Sequence, residues 1–177
     1  MGLFSDLAQD ALSLARTLGA GPVTPKAVVS AMSGDAYVVL ALMRVRQFAR
    51  RWHIPVVNRA LRLTQMALYN VEISKDAHLG EGVNLLHTGG VIIGGDSRIG
   101  ARTLLLGSIT IGNLDNKGYP RIGEDVIVGA GARILGPVTI GRGAKIGANA
   151  VVVSDVPEGA TAVGVPAVVR TKRRPEA

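Results

Sequence analysis

The chain has 177 residues, with 20 Lys and Arg against 13 Asp and Glu and a formal net charge of +7, and its length allows one domain with a small appendage. Hydrophobic residues make up 47% and aromatics only 3%, so the chain is not a disordered one and its core must be filled by aliphatic side chains. With no Cys, it can hold no disulfide, thiolate zinc site, iron–sulfur cluster or cysteine nucleophile.

From the N-terminus the sequence reads as helices. Ser5 can cap a first helix running to about Leu18, with Gly19 beyond it. The stretch from Gly19 to Gly34 contains Gly21, Pro22, Pro25 and Gly34 and is expected to be a connection. Asp35 can open a second helix toward Trp52, and Pro55 a third through Leu68. Asp6 and Asp10 near the start argue against a secretory leader. The longest apolar run, Ala36 to Met43, is far short of the roughly 20 residues that span a bilayer. A cytoplasmic protein is therefore expected, with the inner face of the membrane as an alternative placement. The reason for that alternative is local: between Ala36 and Val71 there is no acidic residue, yet Arg44, Arg46, Arg50, Arg51, Arg59 and Arg62 are all present. A basic, apolar helical pair of this kind suits an anionic surface, or it packs on the rest of the molecule with its arginines outward.

From about Val71 the period becomes six. Aliphatics stand at Leu79 and Leu85; after a two-residue slip over His87 to Gly90 they resume at Ile93, Ile99, Leu105 and Ile111. They continue at Ile122, Val128, Ile134, Ile140, Ile146 and Val152, and in eight of these twelve hexads Gly follows the aliphatic, which neither a helix nor a meander of alternating strands explains. Such hexads predict a parallel β-helix, with one short strand and one corner per six residues and three hexads per lap. The spacing from Ile111 to Ile122 is eleven, so Asn113 to Pro120 must leave the prism as a loop. It carries Asp115, Asn116, Lys117 and Tyr119, the last being the only aromatic between Val71 and Arg170. Loops on rigid scaffolds concentrate function. Three domains follow: a helical segment over 1–70, the β-helix over 71–170 and a basic tail over 171–177.

The run VEISKDAHLGEGVNLLHTGGVIIG, then SITIGN, the loop, YPRIGEDVIVGAGARILGPVTIGRGAKIGANAVV and AVGVPA resembles the serine acetyltransferase-type branch of the hexapeptide-repeat acyltransferases, over residues 71–170. The resemblance implies a left-handed prism, a homotrimer with active sites between neighbouring prisms, and acetyl transfer from acetyl-CoA to a hydroxyl. It identifies His87 as the general base. A hydroxyl attacks a thioester poorly, and a side chain titrating near ~6.5 can remove its proton as the bond forms. The branch's acidic partner corresponds to Glu72, which would fix the imidazole tautomer and stabilise the imidazolium. The resemblance also lays the CoA arm beside Gly112, Ala130 and Ala148, with Lys145 near its phosphates and Arg170 adding charge. A backbone N–H near Gly112 or Asn113 would meet the oxyanion. Lys172, Arg173 and Arg174 are more simply a solvated tail. His53 and His78 are expected to be structural, and no metal is expected, since a zinc-dependent reading needs three histidines in the repeat, where there are two.

Two positions depart from the branch. It carries Asp immediately before the catalytic His and Arg-His-Pro in the loop; here stand Leu86 and Gly118-Tyr119-Pro120. Charges that would hold an amino acid's ammonium and carboxylate are missing, which makes free serine a poor acceptor. The pattern is similar to exopolysaccharide, colanic-acid-type O-acetyltransferases, so the expected acceptor is a saccharide hydroxyl, met by Asn113, Asp115 and Tyr119. Serine acetylation and a non-catalytic trimeric scaffold are the alternatives. No nucleic-acid motif or stacking platform is present.

Overall fold

The computed structural model describes residues 2–19 and 21–170. The expected basic tail, with Lys172, Arg173 and Arg174, lies outside the described residues. Four helices precede the repeat: α1 (Leu3–Leu18), α2 (Pro25–Met32), α3 (Asp35–Arg51) and α4 (Pro55–Tyr69). The first starts two residues before Ser5, with Gly2 at its cap and no side-chain cap bond. The stretch expected to be a plain connection contains α2. Thr24 caps it by accepting a bond from the Ala27 N–H at 3.2 Å, and Pro25 occupies its first turn, where a missing N–H costs nothing. Asn70 ends α4 in left-handed backbone (φ 51°, ψ 44°) and turns the chain into the first strand.

The expected parallel solenoid follows, with three faces. The first face stacks β1 (Val71–Ile73), β4 (Val91–Ile93), β7 (Thr110–Gly112), β10 (Arg133–Leu135) and β13 (Val151–Val152). The second stacks β2 (His78–Leu79), β5 (Arg98–Ile99), β8 (Arg121–Ile122) and β11 (Thr139–Ile140). The third stacks β3 (Asn84–Leu86), β6 (Leu104–Leu106), β9 (Ile127–Val128), β12 (Lys145–Ile146) and β14 (Thr161–Val163), and closes with β15 (Val168–Arg170), which runs antiparallel to β14. Five strands on the first face make about five turns, one more than the hexads alone suggest, because Val71 and Ile73 begin a lap before the first regular hexad.

The register reports each break in the rhythm. Val71 lies beside Val91, twenty residues on; Ile92 beside Thr110, eighteen on; Thr110 beside Arg133, twenty-three on; and Arg133 beside Val151, eighteen on. The regular lap is eighteen, the slip at His87 adds two and the loop adds five. All twelve hexad aliphatics are buried, none more than 8% exposed, and each contributes roughly 1.5–3 kcal/mol by leaving water. The alternate inward set, including Val83, Ile109, Val126, Ala132 and Ala150, fills the space between them.

The helical segment is fastened to the first lap by a buried ion pair. Arg44 on α3 donates from Nε and Nη2 to both oxygens of Asp10 on α1, at 2.8 and 3.0 Å, and from Nη1 and Nη2 to the carbonyls of Leu79 and Gly80, at 2.8 and 2.7 Å. Asp10 also accepts the Gly82 N–H at 3.1 Å. Burial pushes the Asp10 carboxyl up, against the opposing hydrogen bond and charge of Arg44. Satisfying every donor in this way is what lets two charges leave water at a tolerable cost.

Candidate active site

The slip places His87 just past β3, at the corner between the third and first faces, in left-handed backbone (φ 59°) with its side chain exposed. Such a conformation costs a residue with a Cβ about 1–2 kcal/mol, so the corner must be held. Gly90 donates its N–H to the Asn70 carbonyl at 3.0 Å, and Ser108 donates to the Gly89 carbonyl at 2.8 Å. Directly against His87, one lap on, lies Gly107; a Cβ there would overlap the His87 carbonyl. Gly107 was missed in the sequence because it falls one residue late in its hexad, and that lateness was the available signal.

The same edge continues through the next laps. Gly131 donates to the Gly107 carbonyl at 3.0 Å, and Asn149 donates to the Ala130 carbonyl at 2.9 Å. Ala130 and Ala148 are both exposed on this edge, and Lys145, exposed on β12, stands just before it. The structure therefore brings together His87 and three of the residues expected to contact CoA. Small exposed side chains beside a rigid backbone leave room for an extended ligand.

The remaining candidates sit elsewhere. Gly112 ends β7 at the opposite edge of the first face, where a Cβ would meet only open space and the loop departs. In that loop Asn113 donates to the Asn116 side chain at 3.2 Å, and exposed Asp115 lies 3.7 Å from Lys117. The Tyr119 ring doubles back over the corner one lap earlier, against Gly94 and so tightly against Gly95 that a Cβ there would fall inside the ring. Arg170 is exposed on β15, paired with Thr161. In one chain, then, His87 with Ala130 and Ala148 lies on one edge, and Gly112 with the loop lies on another.

Glu72 is on β1, in register with Ile92, five residues beyond His87 and past the corner. Its carboxylate is engaged by Arg62 of α4, and among the described residues no hydrogen bond joins it to His87. Glu72 instead lines a groove of about 1080 Å³ between the helices and the first face, together with Arg46, Arg50, Arg59, Arg62 and Lys75. His53, exposed in left-handed backbone (φ 54°), lines the same groove, and exposed His78 lies 3.4 Å from Asp96. Among the described residues, no cluster of three or more His, Asp or Glu is arranged to hold a metal. Away from all of this, Arg102 grips Asp125 at 2.7 and 2.9 Å and Glu124 at 2.8 Å, and its guanidinium holds the Asp125 carboxyl below the usual range.

Known proteins place this geometry. Residues 119–154 match the family model for the bacterial transferase hexapeptide (six repeats). A serine acetyltransferase of Helicobacter pylori is 40% identical over 121 residues, covering 67% of this chain and 71% of that protein. One from Synechococcus elongatus is 36% identical over 133 residues, covering 73% of this chain and 54% of its own length, so the chain spans about half of that relative. Among solved structures, a serine acetyltransferase in complex with CoA superposes with a TM-score of 0.85 at 28% identity, over 95% of this chain and 69% of that one. The enzyme of Neisseria gonorrhoeae in complex with serine superposes with a TM-score of 0.82 at 28% identity, over 94% and 68%. The chain belongs to the hexapeptide-repeat acyltransferases, and the relatives it matches here are serine acetyltransferases. These relatives overturn two expectations. The resemblance to exopolysaccharide O-acetyltransferases is not the one found, and the saccharide acceptor falls with it. That inference gave two missing charges, at Leu86 and Gly118, more weight than the likeness of the whole repeat.

Proposed function

We propose that the protein transfers the acetyl group of acetyl-CoA to the hydroxyl of serine or a closely similar hydroxy amino acid. The observation that carries this is the exposed imidazole of His87, set on a corner backed by Gly107 and heading the edge that bears Ala130 and Ala148. Its support is the family, one of whose solved members holds CoA and another serine.

The step is a direct transfer. His87 takes the hydroxyl proton as the oxygen attacks the thioester carbonyl, and the tetrahedral oxyanion collapses to the acetyl ester with loss of the CoA thiolate, which recovers the proton from the imidazolium. Backbone N–H groups at Gly112 and Asn113 lie on the other edge, so they reach the same carbonyl only from a neighbouring subunit. A homotrimer supplies that arrangement. Glu72 occupies the branch's acidic position, and a dyad with His87 requires its carboxylate to exchange Arg62 for the imidazole. With Leu86 and Gly118 at the branch's charged positions, discrimination between serine and uncharged alcohols is expected to be weak.

The test is thiol release from acetyl-CoA with free serine, threonine, homoserine and serinamide, for the native protein and His87→Ala. Release with serine that His87→Ala abolishes supports the proposal. No release above the acceptor-free rate with any of the four would end it.

A further inference from the structure

The corner where α3 meets α4 has no role in the chemistry above, yet it is the most conspicuous surface of the helical segment. Four large apolar residues crowd it: Phe48 on the last turn of α3, Trp52 capping that helix, Ile54 between the helices and Val56 at the start of α4. All are exposed, Trp52 by 67% and Val56 by 76%, and the Phe48 and Trp52 rings form a tilted pair with centroids 6.1 Å apart. Arg50 and Arg51 immediately precede Trp52 in the chain, and Arg50, Arg59 and Arg62 line a groove together with Ile54. Monomeric proteins seldom leave such residues together in water unless the patch serves as an interface.

Beside this corner opens the groove of about 1080 Å³, lined by Arg46, Arg50, His53, Arg59, Arg62 and Lys75 against a single carboxylate, Glu72. Arg46 is only 1% exposed. It donates to Gln65 at 2.5 Å and to Asn58 at 3.3 Å, but its Nη2 is buried with no partner. A buried guanidinium nitrogen without an acceptor is costly. Among the described residues no single helix is long and apolar enough to cross a membrane.

We propose that the α3–α4 corner docks on an anionic lipid surface, with Trp52, Ile54 and Val56 entering the interfacial layer and the arginine-lined groove receiving a lipid phosphate. Charge decides between this occupant and a second copy of the chain. Arg50 is paired with Asp76 at 2.9 Å, and a self-complementary contact sets Arg51 and Arg59 against themselves, whereas anionic lipid neutralises them. Aromatic rings at the level of the headgroups, with arginines around them, are what such an interface favours. The inference does not depend on the identity of the acceptor.

Trp52 is the only tryptophan, so its emission reports on this corner alone. The full chain is titrated with vesicles of phosphatidylcholine and of phosphatidylcholine containing phosphatidylglycerol, following Trp52 emission and co-sedimentation. The expected result is a blue shift and pelleting with the anionic vesicles only, lost as salt rises from about 0.01 M to about 1 M and the screening length falls from about 30 to about 3 Å. Arg51→Gln with Arg59→Gln should weaken binding by about 30-fold, from two surface charges. The proposal is overturned by unchanged emission with anionic vesicles at low salt, by undiminished binding of the double variant, or by a V56S variant that binds vesicles normally but shows a smaller mass in sedimentation. The last would make the patch a contact between copies. Inorganic phosphate that shifts Trp52 emission as fully as the vesicles do would also overturn it, because the groove would then be a free-anion site.

Discussion

The left-handed corner at His87 is possible because the residue packed against it is small. A left-handed residue with a full side chain needs a corner that tolerates it, and Gly107 provides one by having no Cβ to meet the His87 carbonyl. Two predictions belong at this scale. His87→Ala should lower acetyl transfer by about 10²–10⁴-fold while leaving CoA binding intact, read by thiol release and by calorimetric titration with CoA. Gly107→Ala should displace the His87 corner, costing about 1–3 kcal/mol in urea unfolding from overpacking and lowering kcat more than it raises KM for acetyl-CoA. An unchanged kcat in Gly107→Ala would mean that the position of the corner does not matter to the reaction.

At the scale of elements, the helices are joined to the prism by the buried pair of Asp10 and Arg44, whose remaining donors reach the carbonyls of Leu79 and Gly80. Removing one partner leaves the other charge unpaired in a dry place. Asp10→Ala should therefore cost about 3–5 kcal/mol, measured by urea unfolding, and replacing both residues by apolar ones should recover much of that loss. The corner held by Arg102 makes a prediction about pH. Asp125 has a folded pKa below its ordinary value of 3.8, chiefly through its hydrogen bonds from Arg102. The unfolded chain thus takes up this proton first as pH falls. The resulting stability is fully present above the ordinary value and is lost as pH drops through the lower, folded one. Thermal melts of Arg102→Ala should consequently fall off less between neutral pH and pH ~3 than those of the native protein.

For the whole molecule, the two edges matter most. One chain carries His87, Ala130 and Ala148 on one edge and Gly112 with the Asn113–Pro120 loop on another, so the proposed reaction needs a neighbour. Mixing separately inactive variants is a direct check. If His87→Ala and a variant lacking the loop are refolded together, the proposed homotrimer would include mixed assemblies with an intact His87 edge facing an intact loop, and activity should return. Activity that stays absent, in mixtures shown by mass to have exchanged subunits, would place the whole site within one chain.

The six-residue rhythm made the prism legible, since an aliphatic that recurs every sixth position can be buried in only one kind of stack. The breaks in that rhythm marked the slip at His87 and the loop to Tyr119, and the register shows both as added residues per lap. Local periodicity determines local burial, and no partner from elsewhere is needed to read it. What the tertiary structure decided are relations between distant laps and helices. These include α2 inside a proline-rich stretch, Gly107 backing His87, Tyr119 folded over Gly95, Glu72 held by Arg62, and the arginine-lined groove beside an exposed tryptophan. Each depends on how far the chain travels around the prism before two residues meet, a distance set by the accumulated breaks and by the docking of the helices, which no short window of sequence contains.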